Sequence, residues 1–468
     1  MKNSNSYLGE ERIGKLMLKF SIPCIMSLLV SSLYNIVDQI FIGRGVGYLG
    51  NGATNVVFPV TIIALAFALM IGDGCAAYLS ICQGMNDKER SHKSVGNAVV
   101  IAVAVGIIFT ILLAVWKGNF LTAFGATQSN LAYAEEYFNY IIVGIPFFVF
   151  GNCMNSIIRA DGSPQFAMLS TFVGAVINII LDPIAIFGLK WGMMGAAVAT
   201  ITGQIVTALL AVYYLMHTKS FKVERKSFHL DGRIIKKFMP LGISSFLTQI
   251  SIVVIMAAMN NMLVFYGAQS KYGADIPLTV VGIVMKVFQI VIAIVVGIAA
   301  GSQPIIGYNY GAGNYGRVKK LFKLMIVAEG CVGLFFMMCF EFFPLQIINI
   351  FGSESGLYNE FAVMAFRIYL CTIMLCCIQK ATSIFLQALG KPVLSTVLSL
   401  LRELVLSVPL TLILPRFFGV TGTLYSAPVA DIVSFFVVFG IMTYIFRHLS
   451  TDEEKETKIE FKEKVELI

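Results

Sequence analysis

The chain has 468 residues, 57% of them hydrophobic and only 13% charged, with a mean hydropathy of +0.82. A water-soluble domain has to cover its outside with more polar groups than that, so a soluble globular fold is excluded and lipid is the solvent for most of the chain. The net charge of +8 is not gathered on a basic face with interleaved aromatics, which excludes a nucleic-acid-binding domain.

The polar N-terminal stretch MKNSNSYLGEERIGK lacks the apolar core and cleavage site of a signal peptide. The first apolar run is therefore expected to remain as a membrane helix. Runs long enough to cross a bilayer as helix fall near 18–42, 54–83, 95–116, 134–157, 166–188, 194–216, 239–266, 278–308, 320–344, 360–386, 394–415 and 420–446. The pattern predicts an all-α membrane protein of twelve spans. Basic residues collect in alternate connections, such as Lys88, Arg90 and Lys93, or Lys222, Arg225 and Lys226. By the positive-inside rule both termini are expected in the cytoplasm of a bacterial cell. The long polar connection 217–237 divides the chain into six-helix lobes at 1–216 and 238–446, with a charged tail at 447–468.

The two halves repeat. Gly84 and Arg90 recur as Gly311 and Arg317, Gly192 and Gly195 as Gly419 and Gly422, and RADGSP at 159–164 as QALGKP at 387–392. Each half holds an even number of helices, so the copies share one orientation and relate by an axis along the membrane normal. Transporters built this way place their sites near the junction of the halves. A fixed channel has no need of the duplication. The nine cysteines show no metal-ligand spacing and read as small apolar residues at helix contacts.

A charge at bilayer depth costs about 2.5–3.5 kcal/mol on insertion scales, so the few polar residues inside the spans are informative. In the first span Ser27, Ser31, Asn35 and Asp38 form one stripe, and in the fifth Thr171, Gly174, Asn178 and Asp182 form another. Each ends in an Asn one turn before an Asp. Pro183 has no N–H and clashes with the carbonyl of Ile179, which frees that oxygen and predicts a bend or hinge. A carboxylate beside a freed carbonyl can bind a cation or carry a proton; the plainer alternative is a structural kink with Asp182 bonded to a neighbouring helix. Asp73 between two glycines is a third candidate, for a cavity or for close packing. Asn152, Asn155 and Arg159 share a face of the fourth span, with Arg159 expected to anchor a loop. The second half has no acid opposite Asp38 or Asp182. It carries Lys286, Gln289, Arg367, Arg402, Glu403 and Asp431 instead, with Glu403 expected to pair with Arg402 or Arg367. Asp73, Asn152, Asn155, Lys286, Gln289, Arg402 and Glu403 are the candidates for lining a substrate cavity.

NIVDQIFIGR (35–44), RADGSP (159–164), INIILDPIAIFG (177–188) and SQPIIGYNYGAGNYGRVKK (302–320) resemble the multidrug and toxic compound extrusion (MATE) transporters, in particular their bacterial MepA-like branch. The resemblance covers essentially the whole chain. It implies export of amphipathic, often cationic, drug-like compounds in exchange for H⁺ or Na⁺, by a monomer in the lipid bilayer without a cofactor. It also implies a cation site at Asp38, Asn178 and Asp182, with a sixth-helix threonine, Thr200 or Thr202, in some members. Other members use acids in the seventh and tenth helices, and the seventh and tenth runs here carry none for that role. The rivals are a lipid-linked saccharide flippase, which needs cations for phosphates, and a membrane-embedded transferase, which needs a His or paired acids at a membrane face. The four histidines all lie in loops or tails, so an enzyme is not expected.

Overall fold

The computed structural model describes residues 6–124, 130–219, 225–351 and 356–466, with side chains described as far as Arg447. Lys222 and the side chains of the tail beyond 447 lie outside that description. Among the described residues there are helices and no strands. The membrane helices are α1 (Ile13–Gly45), α2 (Tyr48–Gly84), α3 (Lys88–Val115), α4 (Leu131–Ala160), α5 (Pro164–Pro183) and α6 (Gly192–Met216), followed by α7 (Gly232–Ala268), α8 (Asp275–Gly311), α9 (Tyr315–Phe342), α10 (Gly356–Tyr369 with Ile373–Ala388), α11 (Pro392–Leu400 continuing to Ile413) and α12 (Val420–Glu466). Eleven are long and apolar enough to cross a membrane singly, and the two pieces of α10 make a twelfth span. All nine cysteines are free.

Three spans depart from a plain helix. The pieces of α10 meet at an angle of 44°, across a break at which Thr372 turns its hydroxyl to Asp431 of α12, 2.7 Å away. α11 widens into a π-helical stretch, Leu401–Ser407. Pro409 follows it and cannot serve an α-helical carbonyl one turn back, and the wider winding takes up the mismatch. In α5 the order is reversed, with Pro183 standing before the π-helical turn. The proline does not break its span; α5 runs straight into a π-helical turn, Ile184–Gly188, and residues 164–188 form one continuous crossing.

Packing ties the halves together at one end only. Leu8, just before α1, and Leu16, Met17 and Phe20 from its start sit in a core otherwise built by α8 to α12. Reciprocally, Ile234 and Phe238 from the start of α7 sit in the core of the first half. At this end α2 crosses α7 so closely that a Cβ on Gly242 would stand 1.7 Å from the Met70 carbonyl oxygen. A Cβ on Gly84 would stand 2.1 Å from the Tyr308 carbonyl oxygen of α8. Such approaches are possible only without a side chain, and they are how helices gain contact where lipid supplies no hydrophobic drive. Towards the opposite end a third core forms from residues 259–427 alone, so there each half packs on itself.

Candidate functional site

The site lies inside the first half, where α1, α4, α5 and α6 meet. One stripe of α5 is small or polar and buried: Ser170, Gly174, Ala175, Asn178 and Asp182. Gly174 and Gly203 let α5 and α6 touch backbone to backbone, since a Cβ on Gly203 would be 2.6 Å from the Gly174 carbonyl oxygen. That contact sets Asn178 beside α6. Its amide donates to Thr200 Oγ1 at 3.2 Å and lies 3.4 Å from Asp182 Oδ1.

Asp182 is completely buried and Asp38 is 8% exposed. Their carboxyl groups come within hydrogen-bond reach of each other. Tyr137 of α4 reaches Thr200, and it and Tyr34 of α1 both stand within electrostatic range of the two acids. Asp38 Oδ1, Asn178 Oδ1 and Asp182 Oδ2 are buried with no donor among the described residues. Two ionised carboxylates cannot share such a pocket unpaired, because burial and mutual repulsion both oppose it. A proton or a hard metal cation resolves the conflict, and the carboxylate, amide and hydroxyl oxygens present are the donor types such a cation takes. The π-helical turn after Pro183 links this pocket to the end of α1. Gly45 fits against Ile186 with no room for a Cβ, and Phe41 meets Phe187 edge to face at 6.4 Å.

The structure sorts the remaining sequence candidates. Thr200, not Thr202, belongs to the pocket; Thr202 bonds to the Val198 carbonyl of its own helix. Asn35 is exposed and donates to the Ser31 carbonyl, so it is turned away from Asp38. Asn152 likewise serves its own helix, at Phe148. Asp73 accepts from Ser156 of α4 at 2.7 Å and from Ser245 of α7 at 2.9 Å, with Arg159 at 3.8 Å. Arg159 also donates to Asn155, whose amide reaches Thr171. Gln387 of α10 closes the set on Ser245. Asp73, Asn155 and Arg159 thus form a bridge between the halves; of the two readings of Asp73 the close packing of its flanking glycines is what the structure has, with Gly72 against Cys153 and Gly74 against Phe238.

In the second half Lys286 and Gln289 are exposed, one turn apart on α8. Arg402 and Glu403 do not line an open cavity. They are buried by the π-helical stretch in a four-membered ionic cluster. Arg402 bonds to Asp431 at 2.7 Å and to Glu403 at 2.9 Å, and Lys380 pairs with Glu403. Arg367 is not part of it; it meets Glu341 at the protein surface. α10 begins early enough to include Glu360, but that acid is exposed and pairs with Lys271. Sequence reasoning passed over Lys380 and Glu329, both charged residues in apolar runs and so visible signals. Glu329 of α9 is fully buried, and neither carboxyl oxygen has a partner among the described residues. Tyr137 gave no signal, being one of 18 tyrosines.

A duplicated twelve-span helical bundle with a buried carboxylate pocket in one half is the architecture of a secondary membrane transporter. Comparison with known proteins agrees. The MatE family model matches residues 23–184 and 244–413, and the chain belongs to that family as an integral, multi-pass membrane protein. It is similar to the multidrug export protein MepA of Staphylococcus aureus, 24% identical over 458 residues that cover 97% of this chain and 99% of that one. MepA of Staphylococcus haemolyticus is 25% identical over 466 residues, covering 97% and 98%. The same fold occurs in the outward-facing structure of a multidrug resistance MATE family transporter of the MOP superfamily, with a TM-score of 0.88, 24% identity and coverage of 97% and 99%.

Proposed function

We propose that this protein is a multidrug export antiporter of the cell membrane, a transporter and not an enzyme, driven by H⁺ or Na⁺ entering the pocket of Asp38, Asn178, Asp182 and Thr200. The observation that carries the reading is the set of three buried oxygens there without a protein donor. The names of the similar proteins, which are multidrug export proteins, support the substrate class. Six-helix lobes at 1–216 and 238–446 rock about the linker 217–237, with both termini in the cytoplasm, no prosthetic group and one chain as the working unit. The close packing at the end where the chain starts, and the separate cores at the other, support a conformation open to the outside. In the opposite conformation the cleft takes up an amphipathic cation from the cytoplasm or inner leaflet, and on this reading Lys286 and Gln289, exposed on α8, contribute to its lining. After outward opening, H⁺ or Na⁺ fills the pocket. The π-helical turn after Pro183 passes the change to the end of α1, the field of the acids is neutralised, and the drug leaves. A saccharide flippase is less well supported, because Arg402 is committed to acids within the cluster and Arg367 to Glu341.

The test is Asp182→Asn. In everted vesicles carrying fluorescent organic cations, with pH and Na⁺ gradients imposed separately, this variant should insert normally and lose gradient-driven transport. Wild-type transport rates at wild-type expression would refute the assignment.

A further inference from the structure

The connection between the two halves carries a feature unused in that cycle. Residues Arg225–Phe228 form a short 3₁₀ helix between α6 and α7. Its chain is clamped to α3. Asn97 donates to the His229 carbonyl at 3.1 Å and accepts from the Asp231 amide at 2.7 Å. A Cβ on Gly96 would lie 2.1 Å from the Ser227 carbonyl oxygen. The clamp shapes an open groove of about 550 Å³ lined by Lys93, Lys226, His229, Asp231, Arg233 and Lys236.

Its charge is unbalanced. Lys93 pairs with Glu89 at 2.8 Å, and the Asp231 carboxylate caps α7 at the Arg233 amide. Among the described residues Lys226, Arg233 and Lys236 have no acidic partner. Beside these cations Phe228 and Leu230 are 40% and 60% exposed. Lys93 and Lys236 lie within the first two turns of membrane helices α3 and α7, less than about 10 Å along each axis, so the groove lies at the ends of two spans, the depth at which headgroups are expected. Unpaired cations next to exposed apolar side chains at that depth are the combination that an anionic lipid satisfies and a free anion does not.

We propose that this groove is a binding site for the phosphodiester headgroup of an anionic phospholipid, with Lys226, Arg233 and Lys236 on the phosphate and Phe228 and Leu230 against the acyl chains. The site joins Lys93 of α3, in the first half, to Arg233 and Lys236 at the start of α7, where the linker runs into the second half. A bound lipid therefore braces the linker on which the halves move.

The experiment measures phosphatidylglycerol retained by the purified full-length protein in native mass spectrometry, with phosphatidylcholine and inorganic phosphate as competitors. Each basic residue near an anionic surface is worth about five-fold in binding, so Lys226→Gln with Lys236→Gln should lose at least about ten-fold in phosphatidylglycerol retention. Phe228→Ser with Leu230→Ser should weaken lipid retention too, and it tests the site without touching the cations. Lys320→Gln with Lys323→Gln, exposed lysines elsewhere, should change nothing. Equal losses from the two lysine pairs would reduce the effect to general surface charge and overturn the proposal. Displacement by inorganic phosphate as readily as by lipid, or unchanged retention in both groove variants, would overturn it as well.

Discussion

The buried ionic cluster of the second half makes a quantitative prediction. Arg402, Glu403 and Asp431 have side chains 8%, 6% and 3% exposed, and Lys380 16%. Two cations and two anions cancel. At contacts of 2.7–2.9 Å and an effective dielectric of about 20, each Arg402 contact is worth about 6 kcal/mol of Coulomb attraction. Burying each ion costs several kcal/mol in return, so the intact cluster is close to balanced. Arg402→Met breaks that balance: Glu403 keeps Lys380, but Asp431 keeps only the Thr372 hydroxyl. A buried charge stripped of its partner costs about 3–5 kcal/mol. Replacing Asp431 as well, with leucine, leaves the neutral Lys380–Glu403 pair and should recover most of the loss. The assay is a double-mutant cycle on unfolding free energy in mixed micelles of increasing SDS content, with wild type, both single variants and the pair. A single-variant cost below about 1 kcal/mol, or a double variant no more stable than Arg402→Met, would refute the reasoning.

Thr200→Val should weaken ion-coupled transport about ten-fold by removing one partner of Asn178, while Thr202→Val leaves it unchanged; equal effects in the vesicle assay would contradict the placement of Thr200. Gly242→Ala puts a methyl group against the Met70 carbonyl and should cost about 1–3 kcal/mol through overpacking, driving the halves apart at that end. Maleimide labelling of a cysteine introduced at Ser80, buried against Gly307, should then rise, and unchanged labelling would argue against the interface. Glu329→Leu removes a buried carboxyl group that has no partner, so it should raise unfolding free energy by about 1–3 kcal/mol. A fall of that size would mean that the acid has a partner in the folded protein.

Much of this was legible in the sequence, for physical reasons that can be traced. The spans, the duplication and the pairing of Asn178 with Asp182 follow from hydropathy and the helical period, and both act locally along the chain. Whatever depended on rotation of a helix about its axis was not legible. Asn35 precedes Asp38 by three residues and Asn178 precedes Asp182 by four, offsets of about 60° and 40° to opposite sides of the acid, and the packing around α1 leaves the side holding Asn35 exposed. The spacing could not separate Thr200 from Thr202, which lie on different sides of α6; the close contact of Gly174 with Gly203 decides between them. Lys380 and Glu403 are 23 residues apart on different helices, and only packing brings them together. Glu329 is different in kind, since the composition of its span already marked it out.

On the proposed reading, the two halves differ in which polar groups can drive a transport cycle. α5 and α11 occupy corresponding places in the repeat, and each joins a proline to a π-helical stretch. In α11 the charges beside it are matched, donor to acceptor, within the same half. Such a network holds one arrangement and gains nothing from an added proton or cation. In α5 the polar groups are left short of donors, so the pocket has a different free energy with and without a cation. Only that difference can shift a conformational equilibrium, because a ligand moves a population by no more than its differential affinity for the two states. On the proposed reading, then, the duplication gave one helix two uses: in the second half it builds a rigid body, and in the first it responds to the ion gradient.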